Sequence, residues 1–151
     1  QNPFMGTSDT NKALSLNTVL SMNHYGWHNF ANSIMFTDSQ NVMYPNPILI
    51  LDHGERVKSG AGKSAASQFS SYGAVSYIMG HVHRLSVAYK RTLRGQHCLA
   101  EGGTLRNLNP EYLRYPDWTN GMLHFVVCRN IVTITPILIE NGTARIGNTK
   151  I

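Results

Sequence analysis

The chain has 151 residues, enough for one domain with a real core and too few for two. An apolar share of 42% and a charged share of 14% exclude a disordered chain, and no apolar run is long enough to span a bilayer. Thirteen basic against eight acidic residues give +5; the basic residues are scattered, so a solvated surface and a nucleic-acid face both fit.

Residues 1–12 are polar and mixed and read as an arm or linker of a single domain over 1–151. The chain opens on Gln1-Asn2-Pro3 without Met or secretory-signal features, which reads as a processed or truncated product. Leu14, Leu16, Val19, Leu20 and Met22 recur near the helical period and predict a helix over 14–24. Residues 26–46 read as strand fragments separated by turns. Pro45 and Pro47 bracket a loop that feeds 48–51, a continuous apolar run typical of a strand buried on both faces.

A loop over 54–62 leads to a predicted helix over 61–72, closed by Gly73. A second buried strand covers 75–79 and ends at Gly80. Strand, helix, strand is a βαβ unit, whose two strands run parallel. Segments 85–90, 97–101, 122–128 and 131–139 read as antiparallel strands, with Arg129-Asn130 and Asn141-Gly142 as tight turns. The fold class is α/β. Cys98 and Cys128 have strand-like apolar neighbours and read as two buried free thiols, which fits a reducing compartment.

Function in open α/β sheets gathers where buried strands deliver their carboxyl ends. Two strands here end alike: the first runs through Asp52 into His53-Gly54, the second into Gly80-His81-Val82-His83. Imidazole is the commonest transition-metal ligand, and the glycines leave room for a close approach. One such histidine reads as a turn hydrogen bond; three at the ends of adjacent parallel strands read as a site. Arg56, Lys58 and Lys63 add positive charge just after His53, suited to a phosphate oxygen.

Gly80-His81-Val82-His83-Arg84 after one apolar strand, with His53-Gly54 after the strand before it, resembles the last two motifs of the calcineurin-like metallophosphoesterases. Segments 14–27 and 102–121, the latter with Leu108-Asn109-Pro110-Glu111-Tyr112, are similar to the corresponding parts of phage and bacterial members. The resemblance covers residues from about 13 to 140. The family's first three motifs, which supply the bridging aspartate, the remaining ligands and the leaving-group histidine, do not occur; Asn23-His24 lacks the flanking glycine and acid.

The chain therefore resembles the C-terminal half of a layered α/β/β/α sandwich, a βαβ unit followed by antiparallel strands. The resemblance implies hydrolysis of a phosphate ester, as a phosphodiesterase or nuclease, at two divalent ions: Mn²⁺, Fe or Zn²⁺. His53 and His81 would hold one ion and His83 the other, with no catalytic residue in this chain. Gly54, Arg56 and Lys58 would face substrate, Asp52 would orient His53, and Gly80 would allow close approach. The missing ligands would come from upstream residues or a partner chain, in the cytoplasm of a bacterium or a phage-infected host, with no membrane partner. The alternative is a non-catalytic metal-binding or structural subunit of a larger assembly.

Other patterns read as structure. Gly60-Ala61-Gly62-Lys63-Ser64 looks like a phosphate loop, but Val57 stands where that motif needs glycine, so it reads as a helix start. Asn141-Gly142-Thr143 reads as a hairpin turn rather than a glycosylation acceptor. His24, His28, His97 and His124 have no recruiting spacing; His124 reads as a satisfied sheet histidine, and Trp27 and Trp118 as edges of the core.

Overall fold

The computed structural model describes residues 27–30, 33–37, 47–128 and 130–150. The arm over 1–12, the helix over 14–24 and the Asn23-His24 pair lie outside the described residues. The described elements are β1 (Trp27–Phe30), β2 (Ser33–Thr37), β3 (Pro47–Asp52), α1 (Lys63–Gln68), β4 (Ser76–Met79), β5 (Leu85–Thr92), β6 (Gly95–Gly102), β7 (Gly121–Cys128), β8 (Ile131–Glu140), β9 (Thr143–Ile146) and β10 (Thr149–Lys150). They form a six-stranded sheet in the order β1-β2-β3-β4-β6-β5 and a four-stranded sheet in the order β10-β9-β8-β7. The described residues are α/β, mostly strand, with little helix.

The βαβ unit forms as its apolar runs dictate. Leu49 and Ile50 of β3 are buried, β4 is buried throughout, and the two strands pair in parallel with Ile50 opposite Tyr77. The strands after them are not all antiparallel. β6 pairs antiparallel with β5 but parallel with β4, Ile78 opposite Ala100. The reason is burial: Leu99 packs on the α1 side of the sheet while Cys98 and Ala100 pack on the other. A strand with two buried faces belongs in the sheet interior.

Helix α1 is about half its predicted length. The Ser67 hydroxyl donates to the Ser64 carbonyl at 2.7 Å, and serine hydroxyls of this kind compete with the helical ladder. Beyond Phe69 the chain closes through the left-handed Gly73 and Ala74, with the Ala74 amide on the Phe69 carbonyl at 3.2 Å.

Two cores flank the large sheet. Ala65 and Phe69 pack on Ile50, Tyr77, Met79 and Leu99 on one side. On the other, Phe36, Leu49, Ile78, Cys98 and Ala100 meet Ile134, with Leu123, Phe125 and Val127 packed against them. The layers run helix, sheet, sheet. Strand β7 alternates strictly, Leu123, Phe125 and Val127 inward, Met122, His124, Val126 and Cys128 outward. That alternation corrects one reading: Cys98 is free and buried, but Cys128 is free and exposed. His124 stands within the sheet, on the exposed face of β7. Asn141 and Gly142, both with positive φ, make the β8–β9 turn whose twist matches paired strands. Among the described residues, no helix is long and apolar enough to cross a membrane.

Candidate functional site

The carboxyl ends of β3, β4 and β6 lie side by side, with Asp52 opposite Met79 and Met79 opposite Glu101. The chain therefore leaves two adjacent strands at His53 and at Gly80-His81. The His53 carbonyl accepts the amides of Gly80 at 3.2 Å and His81 at 2.8 Å, which ties the two loops together. As a result His81 Nδ1 stands 2.9 Å from His53 Nε2, the rings nearly perpendicular at 77° with centroids 4.9 Å apart. Gly54 turns with φ +83°, where a Cβ would fall 2.5 Å from the end of the Met79 side chain; the space beside Gly80 is open.

Asp52 sits below this pair. Its carboxylate accepts the Gly54 amide at 3.2 Å and the Tyr77 hydroxyl at 3.4 Å, and also takes the Tyr72 hydroxyl. It shapes the His53-Gly54 turn through the backbone, and its bonds go to these groups and not to the His53 ring. Burial first, and then the Asp52 charge, pushes the Tyr77 phenol well above its ordinary range, so it remains a donor.

His83 stands apart from the first two. Its backbone is left-handed at φ +59°, uncommon for a residue with a side chain, and its carbonyl accepts the Thr119 amide at 2.9 Å. The ring packs edge-on against Trp118, centroids 4.6 Å apart. Its Nδ1 is buried without a hydrogen-bond partner. Burial, then Arg106, His81 and His53, hold its pKa below the ordinary histidine value. A neutral ring with an orphaned nitrogen is the form that ligates metal. Trp118, read from sequence as a core edge, is half-buried and packs beside a candidate ligand.

The phosphate-loop lookalike has a physical explanation. The amides of Gly62, Ser64 and Ala65 donate to the fully buried Glu101 carboxylate at 2.9, 2.9 and 3.2 Å. A carboxylate of the chain itself thus occupies the anion seat. Buried Arg84 lies beside it, its Nε 3.7 Å from Glu101, and reaches the Lys58 carbonyl at 2.7 Å, the Ser64 hydroxyl at 3.1 Å and Asp117 at 2.9 Å. Sequence reasoning missed Glu101; the available signal was an acid closing the apolar run Cys98-Leu99-Ala100.

Arg56 and Lys58 are exposed. The Arg56 guanidinium donates to the Ser67 carbonyl of α1 at 3.2 Å, while Lys58 lends its backbone to Ser64 and Arg84. Neither makes a hydrogen bond to the histidines. A groove of about 340 Å³ opens beside His53 and Gly80, its walls Leu51, Met79, Leu123 and Phe125. Among the described residues, no three His, Cys, Asp or Glu side chains converge on one point where an ion could sit.

No family model, curated protein or solved structure matches the chain.

Proposed function

We propose that this chain carries the histidine side of a dimetal phosphoesterase centre that hydrolyses phosphodiesters, as the C-terminal half of a layered α/β/β/α metallophosphoesterase sandwich. The observation that carries this reading is the pair of imidazole nitrogens 2.9 Å apart at the ends of two parallel strands. Two nitrogens bound to one ion at about 2.1 Å each, at a right angle, are separated by about 3 Å. His53 and His81 would hold one ion, and His83, through its orphaned Nδ1, the other. Bound ions would supply an activated water and neutralise phosphoryl charge during in-line displacement.

This chain's own residues orient the ligands and leave room for the ester. The His53 carbonyl locks both strand-end loops, Asp52 holds the Gly54 amide, and the open space at Gly80 admits a phosphate oxygen. Burial first, and then the charge of Arg106, His81 and His53, lower the His83 pKa, which favours the neutral ring that ligates metal. The carboxylate ligands come from upstream residues or a partner chain.

The second reading is a non-catalytic metal-binding or structural subunit of a larger assembly. One experiment separates the two. Elemental analysis and the hydrolysis rate of a chromogenic phosphodiester are measured on the chain assembled with its upstream half. Two metals with turnover, lost by orders of magnitude in His81→Ala and His83→Ala and kept in His97→Ala and His124→Ala, is the expected result. Full metal and full rate in the first two variants would overturn the site. One metal or none, without turnover in the wild type, would establish the subunit reading.

A further inference from the structure

Residues 105–118 form a loop whose ends are pinned together. Thr104 donates its amide to the Thr119 carbonyl at 3.0 Å and accepts the Gly121 amide at 3.1 Å; the Asn120 side chain bonds the carbonyls of Thr104 and Arg106 at 3.1 and 2.8 Å. The Arg84–Asp117 pair and the Thr119–His83 bond moor it to the histidine loop. Such a closed surface loop is a rigid mount for whatever its tip displays. Its tip displays aromatic rings and arginine. The Arg106 guanidinium lies 5.8 Å from the Tyr112 ring centroid and 5.9 Å from that of Trp118. Trp118 in turn touches His83.

Tyr112 is 64% exposed and Tyr115 97% exposed, although a large ring left in water forgoes the burial that normally stabilises it. Tyr115 also holds a left-handed backbone at φ +52°, a true outlier for a bulky residue. Arg114 is exposed next to it, and Glu111 is the acid at the tip, Asp117 being paired with Arg84. Flat π-faces interleaved with guanidinium groups, beside a phosphate-ester site, match the chemistry of a nucleobase on a phosphodiester chain.

We infer that the 105–118 loop is a base-stacking platform, with Tyr112, Tyr115 and Arg106 gripping bases of a single-stranded nucleic acid next to the scissile phosphate. The inference rests on the phosphodiesterase reading for its substrate, but its binding step needs no metal. Stacking on an aromatic ring strengthens binding by about fivefold to a hundredfold per base.

The test is fluorescence anisotropy of the full chain, in EDTA, with a labelled oligothymidylate 12-mer and an abasic 12-mer of the same charge. The thymidylate should bind at least tenfold tighter. Tyr112→Ala with Tyr115→Ala should bring it down to the abasic level without changing the abasic affinity, and Tyr115→Phe should retain the preference. Because both tyrosines are exposed, their removal leaves the cores intact. Equal affinity for the two strands, an unchanged preference in the double variant, or no binding to either would overturn the platform, and the last would point to a protein contact. Metal content, measured separately, judges the phosphodiesterase reading on its own. Base preference without metal would remove that reading and leave the platform standing.

Discussion

Glu101 combines full burial with three backbone N–H donors and a neighbouring guanidinium, and it is the most constrained charge among the described residues. Glu101→Gln keeps the shape but turns an NH₂ group toward donors, leaving a buried amide unpaired. Such a change costs about 2–4 kcal/mol. Asp117, 68% exposed, pairs directly with the same arginine at 2.9 Å but in reach of screening water, and Asp117→Asn should cost less than about 1 kcal/mol. Denaturant melts of the two variants read this difference directly, and equal losses would contradict the assignment.

His97 offers a pH handle at the same scale. It packs on Phe69 at 5.3 Å, bonds the Thr92 hydroxyl at 2.8 Å and faces Lys90 across the ladder. Burial first, and then Arg94, hold its pKa below 6.5. The unfolded chain therefore takes up this proton at higher pH than the folded one. Its stability contribution is whole above pH 6.5 and is lost as pH falls from there toward the lowered value. His97→Gln should flatten that part of the melting-temperature profile; an identical decline in both proteins would rule the contribution out.

At the scale of elements, turns of similar backbone conformation differ in what surrounds them. Gly142, φ +71° in the β8–β9 turn, faces open space, so Gly142→Ala meets only the left-handed penalty of about 1 kcal/mol. Gly103, φ +65°, would put a Cβ 2.9 Å from the Gly121 carbonyl oxygen and 3.0 Å from that of Thr119. Those carbonyls belong to the closure of the 105–118 loop and cannot swing aside as a side chain can. Gly103→Ala should therefore cost well over twice as much, and should speed hydrogen exchange at Thr104 and Gly121 selectively. Equal stabilities for the two alanine variants would show that the loop closure yields easily.

For the whole molecule, the question is what covers the sheet faces. Met122, Val126 and Ile131 are exposed on the side of β7 and β8 turned away from the large sheet, and among the described residues both sheets end in edge strands. Apolar faces and free edges of this kind favour association. The 151-residue chain made alone should sediment as oligomers, with Val126→Lys and Ile131→Lys shifting it toward monomer. A monomer that melts cooperatively without these changes would contradict the expectation, and with it the half-domain proposal.

Local pattern alone determined the βαβ unit, the hairpin at Asn141-Gly142 and the delivery of His53, His81 and His83 at strand ends. Apolar runs and turn residues act over a few positions, so their consequences are written where they stand. Tertiary structure decided the rest. It put β6 in the sheet interior, gave the helix start a capping carboxylate 39 residues away, and brought Trp118 against His83. It also turned Cys128 and His124 outward, because a strand's alternation names two faces without saying which one finds a partner. How closely the three histidines approach one another was half legible for the same reason. Their spacing announced a shared pole, but the 2.9 Å approach of His53 and His81 depends on one carbonyl accepting two amides across parallel strands, a bond that exists only once the sheet has closed.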